Sequence, residues 1–310
     1  MSESAVQGAE LDEHRTALLG YCYRMLGSPF DAEDAVQETL LRAWRNADRF
    51  DPGRAPLRGW LFAIATNVCL DALRTARRRA RTVDLGPAAE PGAALGVPYP
   101  ASDLVFPAPD GLVVPPEGDP AELAVQRESV RLAFVAALQL LPPRQRAVLI
   151  LRDVLAWSAA EVAALLSTSV AAVNSSLQRA RAGLAAPVRA QPVDEALLRR
   201  YVRAFTDNDI DALVEVLHED ATMSMPPLPF WLRGRGPLLR AMSASGACAG
   251  ASLVRCGRSS FIQYRGGRPF AVVVVEALDG KVGHIQTFLE APRLLELFSR
   301  YADEPAATSA

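Results

Sequence analysis

Nine prolines and five glycines fall within the 38 residues from Asp84 to Ala121. No helix or central strand runs through such a stretch, because proline removes a backbone donor and locks φ while glycine adds freedom. The 310-residue chain is therefore expected to fold as separate bodies on either side of it. The block also carries six acidic and no basic residues, which reads as an extended, partly disordered acidic linker.

Charge follows the same division. Residues 1–83, 84–121, 122–190 and 191–310 carry net charges of +1, -6, +4 and -1, so the overall -2 is a cancellation. Near-neutrality therefore does not exclude a nucleic-acid partner. All the basic side chains except Lys281 are arginines, the type suited to bidentate phosphate and base contacts. Cys22, Cys69, Cys248 and Cys256 lack paired spacing, and only His14, His218 and His284 accompany them, so neither metal nor cofactor is expected. The first twenty residues hold no apolar signal core and the run Ala271 to Val275 is far too short for a membrane span. A cytoplasmic protein with no membrane partner is the expectation.

Before the linker, apolar residues recur at helical spacing in Leu18, Leu19, Tyr23, Met25 and Leu26, in Ala35, Val36, Leu40, Leu41 and Trp44, and in Leu57, Trp60, Leu61, Ile64, Val68 and Leu73. After it, the pattern predicts a long helix from Pro120 to Leu141, a helix through Ile150, and two short helices, Ala159 to Leu166 and Val170 to Leu184. The turn Ser167-Thr168-Ser169 between the last two has helix-turn-helix spacing. From Glu195 onward, helices give way to alternating segments, Ala221 to Met225, Ser252 to Arg255, Ser260 to Tyr264, Phe270 to Glu276 and Val282 to Phe288. Gly266-Gly267 and Asp279-Gly280 are placed as hairpin turns, predicting an α+β domain with a curved, mostly antiparallel sheet.

Chemistry concentrates in three places. Asp71 to Arg81 holds Arg74, Arg77, Arg78, Arg79 and Arg81 against one acid, which suits a phosphate backbone; a solvated helix end has the same composition. Trp60 and Phe62 upstream can stack on unpaired bases and Asn67 can read a base edge, although both aromatics also fit a core. On the recognition-type helix, Thr168, Ser169, Ala171, Ala172, Asn174, Ser175, Gln178, Arg179 and Arg181 are small, hydrogen-bonding or basic, which permits close entry into a major groove. Arg144 and Arg146 are candidates for added backbone contacts. Asp31, Glu33, Asp34 and Glu38 open the helix that carries Trp44. Aspartates there serve as caps, but so dense an acidic patch also fits a basic protein partner.

The segments Tyr21 to Gly27, Asp31 to Trp44 and Trp60 to Arg74 resemble the second conserved region of bacterial extracytoplasmic-function (ECF) sigma factors of the sigma-70 family. Leu141 to Leu149 and Trp157 to Leu166, followed by Val170 to Arg181, resemble their fourth region. Residues 201–213, 217–227 and 231–235 look like the SnoaL-like branch of the NTF2-like fold. The resemblance implies a multidomain chain: a sigma region 2 domain over residues 10–83, the linker at 84–121, a region 4 helix-turn-helix domain over 122–187, and an α+β NTF2-like cone over 192–303. It implies that the acidic helix and Trp44 meet core RNA polymerase, that Trp60 to Arg79 open promoter DNA near position -10, and that Thr168 to Arg181 read the -35 element. The linker would then thread polymerase channels.

A C-terminal domain of this kind resembles a built-in regulator. Its cone is a place for a small-molecule ligand, with Tyr201, Phe205, His218, Met225, Trp231, Arg233, Phe270, His284 and Phe288 as candidate lining groups. The polymerase supplies the chemistry, so no catalytic residue is assigned. The alternative is a small-molecule enzyme or ligand-binding protein that has repurposed the sigma-like part as a scaffold. Ser167 stands where the family usually has glycine, which matters only if the turn requires positive φ.

Overall fold

The computed structural model describes residues 11–53, 55–75, 79–184, 193–245, 249–289 and 291–303. Two compact units emerge, one of Met1–Arg79 with Val105–Pro187, the other of Ala80–Leu104 with Val188–Ala310. The two helical segments thus share one unit, and the Pro-rich stretch is divided between the two.

In the first unit the central element is α1 (Arg15–Leu26), buried from Leu18 to Leu26 and closed by Gly27 at φ 74°, whose N–H bonds the Tyr23 carbonyl. That is the left-handed cap that glycine adopts without steric cost. Ser28 caps α2 (Pro29–Arg45) by accepting from the Asp31 N–H, and Pro29 occupies the first turn where no donor is missed. The third helix, α3 (Leu57–Thr75), packs Leu61, Phe62, Ala65 and Cys69 inward. Tyr21 and Thr66 join α1 to α3 by a 2.8 Å hydroxyl hydrogen bond.

The rest of this unit runs through α4 (Asp110–Val113), α5 (Pro120–Ser129), α6 (Leu132–Leu138), α7 (Pro143–Leu149), a π-turn at Ile150–Val154, α8 (Ala159–Leu165) and α9 (Val170–Gly183). The single helix expected from Pro120 to Leu141 is broken at Val130-Arg131. The buried Arg24 guanidinium takes the Gln126 carbonyl (3.0 Å) and the Ser129 hydroxyl (2.8 Å). The last turn of α5 is thus satisfied by a side chain from α1 instead of by further helix. Burial pushes the Arg24 pKa down to about 9, still protonated at neutral pH.

The second unit contains α10 (Glu195–Thr206), α11 (Ile210–Val216), β1 (Leu217–Ser224), β2 (Trp231–Arg233), α12 (Arg235–Ser245), β3 (Ala251–Arg255), β4 (Ser260–Arg265), β5 (Arg268–Leu278), β6 (Lys281–Leu289) and α13 (Pro292–Ser299). The strands order as β2-β1-β6-β5-β4-β3, antiparallel except for β1 beside β6. Both expected hairpins form: Gly266 and Gly267 sit at φ 56° and 73°, Asp279 and Gly280 at 48° and 74°, the positive-φ pairs that tight hairpins need. Strand β2 has no counterpart in the sequence reading, being three residues long and following a run of prolines. On one face of the sheet Val273, Val275, Ala277 and Ile285 pack under Leu197, Tyr201 and Phe205 of α10, the alternate positions that a strand turns to one side. On the other, α13 brings in Leu294, Leu297 and Phe298. This is the α+β cone that the sequence resemblance implies.

Residues 80–104 are irregular, with single 3-10 turns at Thr82–Asp84 and Ala101–Asp103, but pinned. Ala80 bridges Leu104 and its N–H bonds the Asp103 carbonyl at 2.9 Å, so the segment leaves and rejoins at one point. Between those ends, the Ala89 N–H bonds the Trp231 carbonyl (2.7 Å), the Tyr99 N–H bonds the Pro227 carbonyl (2.8 Å), and Trp231 Nε1 donates to the Gly86 carbonyl (2.9 Å). Proline content lowers the entropy lost on such ordering, which is why an irregular segment seats on three hydrogen bonds.

Candidate functional site

Helix α3 sorts its residues by angle. Trp60, Asn67, Asp71 and Arg74 recur at intervals of seven, four and three and share one stripe. Asn67, Asp71 and Arg74 are exposed, while Trp60 is half-buried and stacked on Phe50 with ring centroids 5.2 Å apart. Phe62 lies off the stripe and is fully buried between Tyr21 (5.3 Å) and Trp157 (5.2 Å). Phe62 is therefore a core residue here, not a stacking platform, because two positions along a helix from Trp60 turn a side chain to the opposite side.

The described arginines of the basic cluster each hold a carboxylate. Arg74 pairs with Asp71 at 3.0 Å, Arg79 with Asp31, and Arg81 with Asp84 at 2.9 Å. Arg77 and Arg78 lie outside the described residues. Phosphates at this cluster must replace those carboxylates, so its net attraction for DNA is weaker than its arginine content suggests.

The acidic helix is likewise partly satisfied: Glu33 meets Arg15 (3.4 Å), Glu38 meets Arg42 (2.6 Å), and Asp34 is exposed. At its end Trp44 is 67% exposed beside Leu41 at 38%. A large aromatic left in water next to charged residues has the composition of a protein-binding anchor.

Helices α8 and α9 are set at 102°, within the helix-turn-helix range. Ser158 and Glu161 form a reciprocal capping box at the start of α8, while the Ser169 hydroxyl caps α9 by accepting from Ala172. Inward go Val173, Leu177 and Ala180; Thr168, Ser169, Ala171, Asn174, Ser175, Gln178, Arg179 and Arg181 are exposed, with Ala172 half-buried. Arg181 is held bidentately by Asp153 (2.7 and 2.9 Å). Arg144 is exposed. Arg146, in contrast, is buried and donates to the carbonyls of Met25, Gln139 and Leu141 and to Gln139 Oε1; it locks α7 to α1 and cannot reach a phosphate. Among the described residues no single helix is long and apolar enough to cross a membrane, and the one bent pair that meets the same measure is α8 with α9.

In the second unit a cavity of about 440 Å³ opens in the concave side of the sheet. Of the nine candidates, Tyr201, Phe205, Met225 and Phe270 line it. The other five candidates do not. On β6 the lining positions are Ile285, Thr287 and Leu289, so His284 and Phe288 face the opposite side by strand parity; His284 Nδ1 instead meets Thr222 Oγ1 at 2.8 Å. His218 Nδ1 accepts the Asp220 N–H at 3.0 Å, Trp231 is engaged by Gly86, and Arg233 is exposed on the edge strand. Sequence reasoning missed Met223, Phe230, Gln263 and Arg265, and also Gly92, Ala93 and Leu95 of the pinned segment. Parity along β6 carried a signal for the strand positions; nothing marked the segment.

Comparison with known proteins decides the family. Residues 11–79 match Sigma-70 region 2 and residues 131–184 match Sigma-70 region 4. The ECF RNA polymerase sigma factor SigG of Mycobacterium tuberculosis is 44% identical over 303 residues, spanning 91% of this chain and 80% of SigG. The chain belongs to the ECF RNA polymerase sigma factors. The sigma factor SigJ of the same organism is 32% identical to this ECF sigma factor over 221 residues, spanning 70% of this chain and 64% of SigJ. The crystal structure of M. tuberculosis SigJ aligns with a TM-score of 0.61 at 24% identity, covering 94% of this chain and 98% of that one, and so shares its fold.

Proposed function

We propose that this ECF sigma factor binds core RNA polymerase and directs promoter-specific transcription initiation, with its C-terminal domain modulating that activity. In this reading residues 10–83 serve polymerase and the -10 element, residues 122–187 the -35 element, and residues 192–303 regulation, with 84–121 between the first two. The observation that carries it is the presence of both sigma regions in order, each with its working face outward: Trp44 on α2, the Asn67 to Arg74 stripe on α3, and the Ala171 to Gln178 face on α9. Small and hydrogen-bonding groups on a capped helix suit close approach to base edges.

The first unit is closed, however. Arg58 lies over both Phe62 (5.7 Å) and Trp157 (5.3 Å), so α3 of region 2 is clasped to region 4. A body of about 160 residues has a radius of gyration of roughly 15 Å, whereas elements about 25 base pairs apart are separated by roughly 85 Å of duplex. Engagement of both elements therefore requires regions 2 and 4 to part. Run-off transcription with purified core polymerase and selected promoter DNA tests the function; the absence of both core association and a promoter-dependent transcript would refute it. The enzyme alternative loses support because neither His218 nor His284 lines the cavity.

A further inference from the structure

We infer that the cone of the second unit binds a small amphipathic acid, an apolar body bearing one anionic head, and that the pinned segment is one wall of this site. The apolar part of the lining comes from Phe205, Met223, Met225 and Phe230. Among the described residues no carboxylate lines the cavity, so a cation would lack a counter-charge there. At the mouth, the Arg265 guanidinium lies 5.9 Å from the Phe270 ring centroid, and Phe270 is 41% exposed. A guanidinium held on an aromatic at the rim of an apolar chamber is where an acid head pairs while its body is buried. The volume lies in the range of small-molecule pockets.

The wall contributed by Gly92, Ala93 and Leu95 belongs to a loop whose ends, Ala80 and Leu104, are bridged. A ligand that touches this wall binds the seated loop better than the released one, so occupancy favours seating. Seated, the loop spans only the width of that bridge; released, its roughly 25 residues reach at most about 85 Å. Because residues 80–104 form the first part of the covalent connection between region 2 and region 4, an acid in the cone shortens the tether. That last consequence rests on the proposed sigma function, whereas the site and its coupling to the loop do not.

The test uses the full-length protein and 8-anilinonaphthalene-1-sulfonate, an apolar body with one anionic group, with neutral N-phenyl-1-naphthylamine as its uncharged analogue. One sulfonate probe per chain is expected. Ala241→Phe, which fills the cavity from α12, should weaken both probes by about tenfold. Arg265→Gln, an exposed change that leaves the core intact, should weaken only the sulfonate, by about tenfold. Bound sulfonate should slow hydrogen exchange at the Ala89 and Tyr99 amides. In Gly96→Val a Cβ would stand 2.5 Å from Pro229 Cγ at φ 77°, so that exchange should be fast with or without probe and affinity should fall. Binding that is unchanged in Ala241→Phe, or equal losses of both probes in Arg265→Gln, overturns the site; exchange at Ala89 and Tyr99 that is indifferent to bound probe overturns the coupling. None of these readouts involves polymerase, so they stand or fall apart from transcription.

Discussion

Ser167 sits at φ 50° in the turn of the helix-turn-helix, a left-handed conformation that costs a residue with a Cβ about 1–2 kcal/mol. Part of that relief is offset by the greater unfolded-state freedom of glycine. Ser167→Gly should therefore stabilise the protein by about 0.5–1 kcal/mol, read as a higher midpoint in urea. Gly20 presents the opposite case. In the interior of α1 an alanine would normally gain about 1 kcal/mol of helix propensity, but its Cβ would fall 2.2 Å from the Val113 carbonyl oxygen. Gly20→Ala should destabilise by about 1–3 kcal/mol, measured in the same titration. Neither sign is readable from the residue alone: the serine needs the turn's φ, and the glycine needs a backbone more than ninety positions away.

At the scale of elements, the capping box of α8 carries a pH dependence. Hydrogen bonds from the Ser158 hydroxyl and backbone hold the Glu161 carboxyl below its ordinary 4.5. A depressed folded-state value means that the contribution is complete above the unfolded value and is lost as pH falls through the folded one. Urea midpoints should therefore show an acid-side loss below about pH 4.5 that is shallower in Glu161→Gln. Periodicity located this helix and its partner α9, because both have one buried stripe set by local spacing. It failed at α5 and α6, where the break is dictated by Arg24 from a distant helix. It puts Trp60 and Phe62 on opposite sides of α3, but only the packing of Trp157 against Phe62 shows which one is core.

At the scale of the molecule, closure of the first unit opposes DNA engagement. Arg58→Gln removes a cation held over two rings, worth about 0.5–1 kcal/mol each when exposed. It should increase promoter-DNA affinity of the free protein several-fold and raise the separation between fluorophores placed on α2 and α9. No change in either measurement would mean that the clasp does not limit opening. The sequence by itself determined the helical bodies, the helix-turn-helix, the α+β cone and the family resemblance, because each rests on local spacing, turn chemistry and short motifs. Only the tertiary structure decided that regions 2 and 4 share one core, that Arg146 and Phe62 are structural, that His284 and Phe288 face away from the cavity, and that the Pro-rich block forms part of its wall. Those outcomes depend on contacts between residues far apart in the chain and on the parity of strands in a curved sheet, and neither is written in local composition.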